Sequence, residues 1–378
     1  MGLIFYGVCG EGRGHATRVY AIVEELRKEH EIVIFTYDDA LVLLAPMYEN
    51  TSVRIVEIPG VRFSYSDTTR KLDYLQTGLK SCGYIRKLYP LVERLCDDIE
   101  RECPDLIISD FEPALPRAAN RMDVPFISIN HQHFLLVSDL RHFPMNIRLQ
   151  VGLMRSIVRT FYAGQLETIV SSFFFPKLLR KHADAKQVGV LLRPDVLKAT
   201  AYHGDHLVAY FRRSDTNQMI EALHNCGRDV YVYGLGSSPS VGNLRFKAIH
   251  SQRFIEDLAT SDGLVCTAGN QLVGEALYLG KPVLAVPEEG NYEQFINSYY
   301  LNKSGGGKGM QSGVVSSRDI KQFIENIEQY RGAIDRERIN GNTETLRLLE
   351  NYLPTVTRQP PPTIRYAPYA VIGNRTAL

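Results

Sequence analysis

Short apolar runs alternate with amphipathic helical segments along most of the chain. Leu3–Val8 and Glu31–Thr36 are predicted strands, and residues 18–30 between them carry apolar side chains at helical spacing. Continuous apolar strands that are separated by helices are typical of a parallel sheet covered on both faces. The same alternation predicts strands at residues 53–58, 105–109 and 125–130, and helices at residues 88–102 and 114–122.

The alternation resumes in the second half of the chain. It predicts strands at residues 206–211, 230–233, 244–248, 263–266 and 283–286, and helices at residues 217–226, 271–279 and 294–304. We therefore expect an α/β fold with two Rossmann-like, doubly wound parallel-sheet domains, residues 1–190 and 205–352, that face each other across a cleft. Ligands of such sheets bind outside the carboxyl ends of the strands.

Segments with weak periodicity set the expected boundaries. Residues 191–204 are the predicted linker, and residues 304–309, with four glycines, are predicted to be a flexible loop. Residues 319–351 are predicted to be helical and broken near Gly341, with the last helix a candidate to return to the first domain. The tail, residues 353–378, contains three consecutive prolines and is expected to be extended or disordered.

The charge and cysteine content exclude several classes of function. The 43 Lys and Arg residues nearly equal the 42 Asp and Glu residues, so a large basic groove for nucleic acid is not expected. The six cysteines include no C-x-x-C pair, which favours free thiols in a reducing cytosol over a zinc site or a disulfide framework. No secretory pattern opens the chain, and no apolar run is long enough to span a membrane. We expect a cytoplasmic protein.

A glycine-rich turn directly follows the first predicted strand: Gly10, Glu11, Gly12, Arg13 and Gly14 lead to His15. Glycines let a ligand approach the backbone, and free N–H groups at a helix start favour anions or hydroxyl groups. The turn lacks a dinucleotide fingerprint and a G-K-[ST] sequence, which argues against a nicotinamide cofactor and a P-loop. His15 is either a general base at the cleft mouth or a histidine with only local hydrogen bonds.

A second polar cluster passes from a predicted strand into a helix at residues 267–275. The backbone of Gly269, Asn270 and Gln271 is thereby placed to receive a phosphate at the positive end of the helix. Glu275 lies farther along the same helix. Its carboxylate either accepts hydrogen bonds from ribose hydroxyls or belongs to a solvated helix face.

A third cluster, Glu293 and Gln294, opens the following helix. An acid and an amide at this place can hold sugar hydroxyls in directed hydrogen bonds. The alternative is an exposed acid–amide pair without a ligand.

Together, these motifs resemble a known family. The order G-x-G-x-G-H, then A-G-N-x-x-x-x-E-A-L-x-x-G-K-P and E-Q-x-x-N, is similar to that of the metal-independent, inverting glycosyltransferases of the two-Rossmann (GT-B) fold. The resemblance is to the family 1 enzymes and to the family 28 enzymes, which include the N-acetylglucosaminyltransferase of peptidoglycan synthesis. It covers roughly residues 1–350 and implies a nucleotide-sugar donor, expected to be a UDP-sugar, with no metal ion and no other cofactor.

The resemblance also implies roles for single residues. His15 is the implied base that removes the proton of the acceptor hydroxyl, and Asp110 is its implied partner, which orients the imidazole as a triad acid does. The resemblance implies that Gly269, Asn270 and Gln271 contact the diphosphate of the donor and that Glu275 contacts its ribose. It implies that Glu293 and Gln294 contact the donor sugar and that Phe254 contacts the nucleobase. Gly236 is implied to make a further phosphate contact.

The acceptor is less constrained than the donor. Residues 143–170 are apolar and aromatic with interleaved arginines, and such a helix either lies on an anionic membrane or packs its apolar face on the first domain. His131 either lines the acceptor cleft or is a satisfied edge histidine. Arg13 and Arg18 either meet an anionic acceptor or the donor phosphate, or are exposed arginines near the cleft. The implied acceptor is a hydroxyl group, with a lipid-linked or cell-envelope glycan as one hypothesis.

Two other functions stay open on this fold. One is a non-hydrolysing UDP-sugar 2-epimerase, whose elimination chemistry needs additional acids and bases around the diphosphate. The other is a non-catalytic nucleotide-sugar-binding protein, which would need neither His15 nor Asp110. Because one fold hosts many functions, fold alone does not separate these alternatives.

Overall fold

The computed structural model describes residues 1–60, 74–160, 164–211 and 217–353, and two parallel sheets organise them. The strands of the first sheet are β1 (Leu3–Val8), β2 (Glu31–Thr36), β3 (Arg54–Glu57), β4 (Leu106–Asp110), β5 (Phe126–Asn130), β6 (Glu167–Ser171) and β7 (Lys186–Val188). The strands of the second sheet are β8 (His206–Tyr210), β9 (Asp229–Tyr233), β10 (Leu244–Lys247), β11 (Gly263–Cys266), β12 (Val283–Ala285) and β13 (Gly307–Gly309). The predicted fold class is confirmed.

The strand order explains where a ligand can bind. The first sheet runs β3-β2-β1-β4-β5-β6-β7 and the second runs β10-β9-β8-β11-β12-β13. In each sheet the order reverses once, between β1 and β4 and between β8 and β11. Doubly wound sheets bind ligands at such reversals, beyond the carboxyl ends of the strands.

Helices cover the sheets. They are α1 (Arg13–Leu26), α2 (Asp38–Tyr48), α3 (Tyr74–Glu102), α4 (Ala114–Arg121), α5 (Phe134–Val137), α6 (Met145–Arg159), α7 (Pro194–Lys198), α8 (Asn217–His224), α9 (Ser251–Ala259), α10 (Asn270–Tyr278), α11 (Tyr292–Ser304), α12 (Ser317–Glu325), α13 (Ile327–Gly332), α14 (Arg336–Ile339) and α15 (Asn342–Glu350). Alternation within β1 shows the two-sided burial, because Phe5 packs in one apolar cluster while Ile4 and Tyr6 pack in another.

Several elements differ from their sequence prediction. Helix α1 begins at Arg13 rather than at residue 18, so His15 lies inside its first turn. The stretch 319–351 is not one helix with a break near Gly341; it belongs to α12, α13, α14 and α15. Helices α2 and α9 and strand β7 have no sequence prediction. Strand β6 overlaps the end of residues 143–170, which the sequence assigns to an amphipathic helix, so that assignment is wrong from Glu167 onward. The short β7 is an edge strand, and an edge strand of three residues leaves almost no periodic signal.

The glycine-rich stretch 304–309 is not a free loop, as the sequence predicts, since Gly307–Gly309 is the edge strand β13. A Cβ atom on Gly307 would overlap the carbonyl oxygen of Val283, and one on Gly309 would overlap that of Ser298. The glycines therefore serve close backbone packing against β12 and α11. Composition alone does not distinguish such packing from flexibility.

The end of the described chain crosses back to the first sheet. Leu348 and Leu349 of α15 pack in the same apolar cluster as Ile4, and the Tyr352 hydroxyl donates to Glu167 of β6 at 3.0 Å. The domain limits at residues 190 and 205 stay a prediction. Apart from Leu353, the predicted tail lies outside the described residues, as does the side chain of Cys82. Within the described ranges, no helix combines the length and apolar character that crossing a bilayer demands.

Candidate active site

The glycine-rich turn lies at the reversal of the first sheet. The N–H of Cys9, just after β1, donates to the carbonyl of Asp110 at the end of β4, at 2.9 Å. A Cβ atom on Gly10 would overlap the Tyr37 carbonyl, so the chain can pass here only without a side chain. The N–H of Gly12 donates to Asp39 at 3.1 Å and holds the start of α1.

His15 and Asp110 meet across this reversal, as the resemblance implies. The Nδ1 atom of His15 lies 2.8 Å from Oδ1 of Asp110. Because a carboxylate only accepts hydrogen bonds, Nδ1 carries the hydrogen, and a neutral ring then has its lone pair at Nε2. No side chain or backbone group in the described ranges hydrogen-bonds Nε2. The Nε2 atom of His15 can therefore accept a proton. Because the ring bonds Asp110 of β4, the interpretation of His15 as a histidine with only local hydrogen bonds is not supported.

Arg18 is not an exposed arginine, which was one of the two sequence interpretations, since only 2% of it is exposed. Its Nε and Nη2 atoms donate to the two oxygens of Asp110 at 2.8 and 2.9 Å. Its Nη2 also lies 3.1 Å from Nδ1 of His15. One helical turn separates Arg18 from His15, so α1 presents both side chains to the same carboxylate.

The electrostatics of this cluster favour an ionised carboxylate. Burial by itself would raise the pKa of Asp110, which has no exposed surface, but Arg18 and His15 outweigh it and hold that pKa below its ordinary value. The site therefore keeps a negative charge beside the imidazole.

Phe111 is a site residue that sequence reasoning missed. Its ring stacks on His15, with ring centroids 6.2 Å apart and an angle of 14° between the planes. Its φ of 56° lies in the left-handed region, which costs a non-glycine residue on the order of 1–3 kcal/mol. The turn after β4 thus has a strained backbone that places the Phe111 ring beside His15. No local sequence signal predicts this.

The rest of the glycine-rich turn divides between the two halves of the chain. Glu11 is half-buried and Arg13 is exposed at the start of α1. Gly14 faces the second half, because a Cβ atom built on it would lie 3.8 Å from Cβ of Gln271. The N-terminal ends of α1 and α10 therefore abut, and the structure brings these two predicted motifs together.

Helix α10 follows β11 at the reversal of the second sheet, with Gly269 at its N-cap. The first N–H groups of any helix lack partners within it, so they remain for a ligand. The side chain of Asn270, in contrast, is engaged with the first half of the chain. Its Oδ1 accepts from Ser172 Oγ at 3.2 Å and from Phe173 N at 3.3 Å, and its Nδ2 donates to the Ser171 carbonyl at 3.2 Å.

Glu275 is not on a solvated helix face, since only 1% of it is exposed. Its Oε2 pairs with Arg193 at 2.9 Å, and its Oε1 accepts from Gln271 at 3.1 Å. Gln271 also donates to the Leu191 carbonyl at 2.8 Å. Both carboxylate oxygens of Glu275 therefore have partners, and Arg193 is one that the sequence did not indicate.

Glu293 and His131 lie close to one another across the two halves. His131 Nε2 is 3.9 Å from Glu293 Oε1 and 3.2 Å from Oδ1 of Asn297 in α11. His131 Nδ1 lies 3.2 Å from the Ser171 carbonyl. Burial lowers the pKa of His131 to about 3 and raises that of Glu293. Both ring nitrogens of His131 thus face acceptor oxygens, and the neutral ring can donate to only one of them.

The remaining predicted donor residues lie apart from the His15 cluster. Gln294 bonds the 288–291 turn, accepting from the N–H of Glu288 at 2.7 Å. Phe254 packs edge-on against Tyr210 and Tyr233 in the core of the second half. Gly236 follows β9 with open space around it. Among the described side chains, no three of His, Cys, Asp and Glu are grouped as a metal site.

Helix α6 has two apolar faces. Ile147, Val151 and Val158 are buried against the first half of the chain. A second row, four residues apart, is exposed: Met145 at 62%, Leu149 at 67%, Leu153 at 52% and Ile157 at 43%. We call this row the α6 stripe. The two sequence interpretations of this segment are therefore compatible, because one face packs and the other is uncovered.

Comparisons with known proteins identify the family of this chain. A family model described as "Glycosyl transferase family 1" matches residues 2–328. A Methanosarcina acetivorans protein, named an uncharacterized glycosyltransferase, is 25% identical over 389 residues, covering 92% of this chain and 96% of that protein.

Two solved structures are similar in fold. Phytolacca americana UGT2, complexed with UDP-2fluoro-glucose and pterostilbene, aligns with a TM-score of 0.66 and 14% identity, covering 93% of this chain and 99% of that one. MurG of Acinetobacter baumannii aligns with a TM-score of 0.58 and 14% identity, covering 92% and 99%. The family match over most of the chain and the paired parallel sheets lead to one conclusion: the chain belongs to glycosyl transferase family 1 and is a glycosyltransferase of the GT-B fold.

Proposed function

We propose that the chain transfers a sugar from a UDP-sugar to a hydroxyl acceptor in one inverting displacement. The observation that carries this proposal is the His15–Asp110 pair at 2.8 Å, with Nε2 of His15 left as a proton acceptor. It lies where α1 and α10 abut, between the reversals of the two sheets. A glycosyltransferase needs a base at this junction, and an inverting step needs only one.

The proposed step balances as follows. Nε2 of His15 takes the acceptor hydroxyl proton while the acceptor oxygen forms a bond to the anomeric carbon of the sugar. The bond from that carbon to the diphosphate oxygen breaks, and UDP leaves with the electron pair. Asp110 holds the Nδ1–H and stabilises the imidazolium that forms.

The leaving diphosphate carries the largest charge in the reaction. The N–H of Gly269 donates to the Thr267 carbonyl at 2.8 Å. We therefore propose that the backbone N–H groups of Asn270 and Gln271 and the positive end of α10 stabilise the leaving diphosphate without a metal ion. Because the Asn270 side chain is engaged by residues 171–173, its backbone is the proposed contact. Transfer is therefore expected to persist in EDTA, and a strict Mg²⁺ requirement would contradict this account.

The donor is tested first by thermal unfolding with UDP, UDP-glucose, UDP-N-acetylglucosamine, GDP and TDP. A ligand at 100 times its dissociation constant stabilises a protein by about 2.7 kcal/mol, so binding is readily seen. Stabilisation by UDP or a UDP-sugar is expected. Stabilisation by GDP or TDP alone would show that the donor carries a nucleobase other than uracil.

The role of His15 is tested by His15→Ala. We expect UDP release with an active donor and acceptor pair to slow by roughly 10²–10⁴-fold, because the general base is lost. UDP affinity, measured by calorimetry, is expected to stay nearly unchanged. The control is His224→Ala, at an exposed histidine of α8. Wild-type turnover in His15→Ala would remove His15 from the mechanism.

We also propose that the α6 stripe contacts an anionic membrane surface on the cytoplasmic side. Four apolar side chains are exposed in one row, and the exposed Arg148 and Arg159 lie on the same helix, which contains no acidic residue. Exposed apolar rows with flanking arginines bind anionic lipid by burial and charge together. A lipid-linked acceptor would be reached at such a surface.

Flotation with vesicles of phosphatidylglycerol and phosphatidylcholine tests this proposal. Wild-type protein is expected to float with the anionic vesicles, and Leu149→Ser with Leu153→Ser is expected to lose most of that binding. Val42→Ser is the matched control, because Val42 is 73% exposed on α2, outside the stripe. Equal binding by all three proteins, or none by the wild type, would contradict a role for the stripe.

A further inference from the structure

A buried arginine joins the pair formed by His15 and Asp110. Arg18 bonds both oxygens of Asp110, at 2.8 and 2.9 Å, in the side-on fork that guanidinium and carboxylate groups prefer. Its Nη2 lies 3.1 Å from Nδ1 of His15. Arg18 is 2% exposed and Asp110 is fully buried.

A contribution to stability alone does not account for this buried ion pair. Burying two charges costs free energy, and apolar residues of similar size are often as stabilising as a buried pair. Here both charges lie within hydrogen-bond distance of the candidate base. The position, burial and hydrogen-bond geometry of Arg18 therefore indicate a role in the chemistry of His15.

We propose that Arg18 is a positioning residue for the His15–Asp110 pair. By fixing both carboxylate oxygens, it holds Oδ1 where it accepts the Nδ1–H of His15, so that the ring presents its Nε2 lone pair. Its positive charge lies next to the ring, where it repels the imidazolium that forms when Nε2 takes up a proton. This inference rests on the proposed function only in calling His15 the acceptor of the substrate proton.

Other titratable groups face this cluster from β1, from α11 and from the segments after β1 and β5. Among them, Cys9 and His133 interact electrostatically with Asp110. Tyr6 of β1 interacts electrostatically with both Asp110 and Arg18. Glu293 of α11 interacts with His15 and Arg18, and His131, after β5, feels the charge of both. Burial raises the pKa of Tyr6, lowers that of His131 and raises that of Glu293. These groups stay the same when Arg18 alone is replaced.

The test is the pH titration of the His15 ring by NMR of protein labelled at histidine, with the signal assigned by its loss in His15→Gln. In Arg18→Gln, the His15–Asp110 pair is expected to take up its proton at higher pH than in the wild type, by roughly one pH unit or more. Arg18→Lys keeps the charge but loses the fork. It is expected to titrate near the wild type, with its ring less uniquely held in the Nδ1–H tautomer.

Arg27→Gln is the matched control. Arg27 is the C-cap of the same helix and pairs only with Glu24 among the described acidic residues, so the His15 titration is expected to stay unchanged. If Arg18→Gln does not fold, Arg18→Gln combined with Asp110→Asn removes the uncompensated charge. In that background, restoring Arg18 alone is expected to lower the titration midpoint of His15.

The outcomes separate this inference from the proposed function. Lower thermal stability of Arg18→Gln with an unchanged titration would show a merely structural role and overturn the inference. A shifted titration in a protein that transfers no sugar would preserve the role of Arg18 and refute the proposed function. With an active donor and acceptor, the acid limb of the kcat/KM profile is expected to move with the titration.

Discussion

Single residues at the cleft carry more charge in buried positions than is usual for a folded chain. Asp110, Arg18 and Glu275 are at most 2% exposed, although charged residues are rarely buried unless they are paired. Each has a partner: Asp110 and Arg18 bind each other, and Glu275 binds Arg193. Such pairs are where perturbed acid–base chemistry concentrates in enzymes.

Glu275→Gln tests the proposed ribose contact. We expect the affinity for UDP to fall about tenfold or more, because a hydrogen bond to a charged acceptor contributes roughly 1.5–3 kcal/mol. Calorimetric titration with UDP measures it. The control is Glu344→Gln, at an exposed position of α15. Unchanged UDP affinity in Glu275→Gln would contradict the ribose role.

Glu112 gives a prediction of pH dependence. Burial raises the pKa of Glu112 to about 7, against the N–H groups of Leu115 and Ala114 that bond its oxygens. Between its ordinary pKa of 4.5 and about 7 the folded state binds more protons than the unfolded state. The free energy of unfolding that this group contributes therefore falls as pH rises through that window, in total by about 3 kcal/mol.

Glu112→Gln isolates that contribution. Urea unfolding of both proteins at about pH 5 and about pH 8 is expected to show a smaller loss of stability toward high pH in the variant. The stability of the variant is subtracted from that of the wild type at each pH, because other buried groups also titrate. Burial lowers the pKa values of His131 and His133 to about 3, so these residues change stability in the opposite direction below pH 6.5. Parallel pH profiles of wild type and variant would disprove the predicted ionisation.

At the scale of elements, the glycine-rich segments show how one composition serves different structures. The turn at residues 10–14 ends in helix α1, whereas the stretch at 304–309 ends in strand β13. In both, a glycine lies where another backbone approaches too closely for a side chain. The neighbouring element decides this, and it is distant in sequence.

Gly307→Ala tests the packing of β13. The added Cβ would overlap the Val283 backbone, so the edge strand must move away from β12. Overpacking of this kind typically costs about 1–3 kcal/mol, which thermal unfolding detects. The matched change is Gly332→Ala at the end of α13, where no atom lies within 4 Å of the added Cβ. Equal stability of the two variants would contradict the packing argument.

At the scale of the whole molecule, hydrogen bonds and aromatic stacking join the two halves. Asn270 hydrogen-bonds residues 171–173, and His131 lies 3.2 Å from Asn297. Phe174 stacks on Tyr300 with centroids 4.3 Å apart and planes within 6°. The first half thus meets both helices, α10 and α11, that carry the proposed donor contacts. Donor binding and the relative position of the halves are therefore expected to be coupled.

Asn270→Ala is expected to loosen this arrangement. The variant loses three hydrogen bonds between the halves, each worth roughly 0.5–1.5 kcal/mol. Small-angle X-ray scattering without nucleotide should show a larger radius of gyration than for the wild type. Asn225→Ala, at an exposed residue directly after α8, is the control. An unchanged scattering curve would show that Asn270 does not hold the halves together.

The sequence by itself determined the α/β class and the two parallel sheets, because strand and helix periodicity are local. Motifs that follow strands must gather at the carboxyl edges of parallel sheets, which placed the glycine-rich turn at a candidate site. The pairing of His15 with Asp110 was implied by the family resemblance.

Only the tertiary structure decided which polar residues are buried and what they bind. Arg18 became a buried partner of Asp110, and Glu275 acquired Arg193, from segments 92 and 82 residues away. The side chain of Asn270 hydrogen-bonds the opposite half of the chain. Burial and pairing depend on which distant elements pack together, and no local pattern in a single sequence encodes that distance.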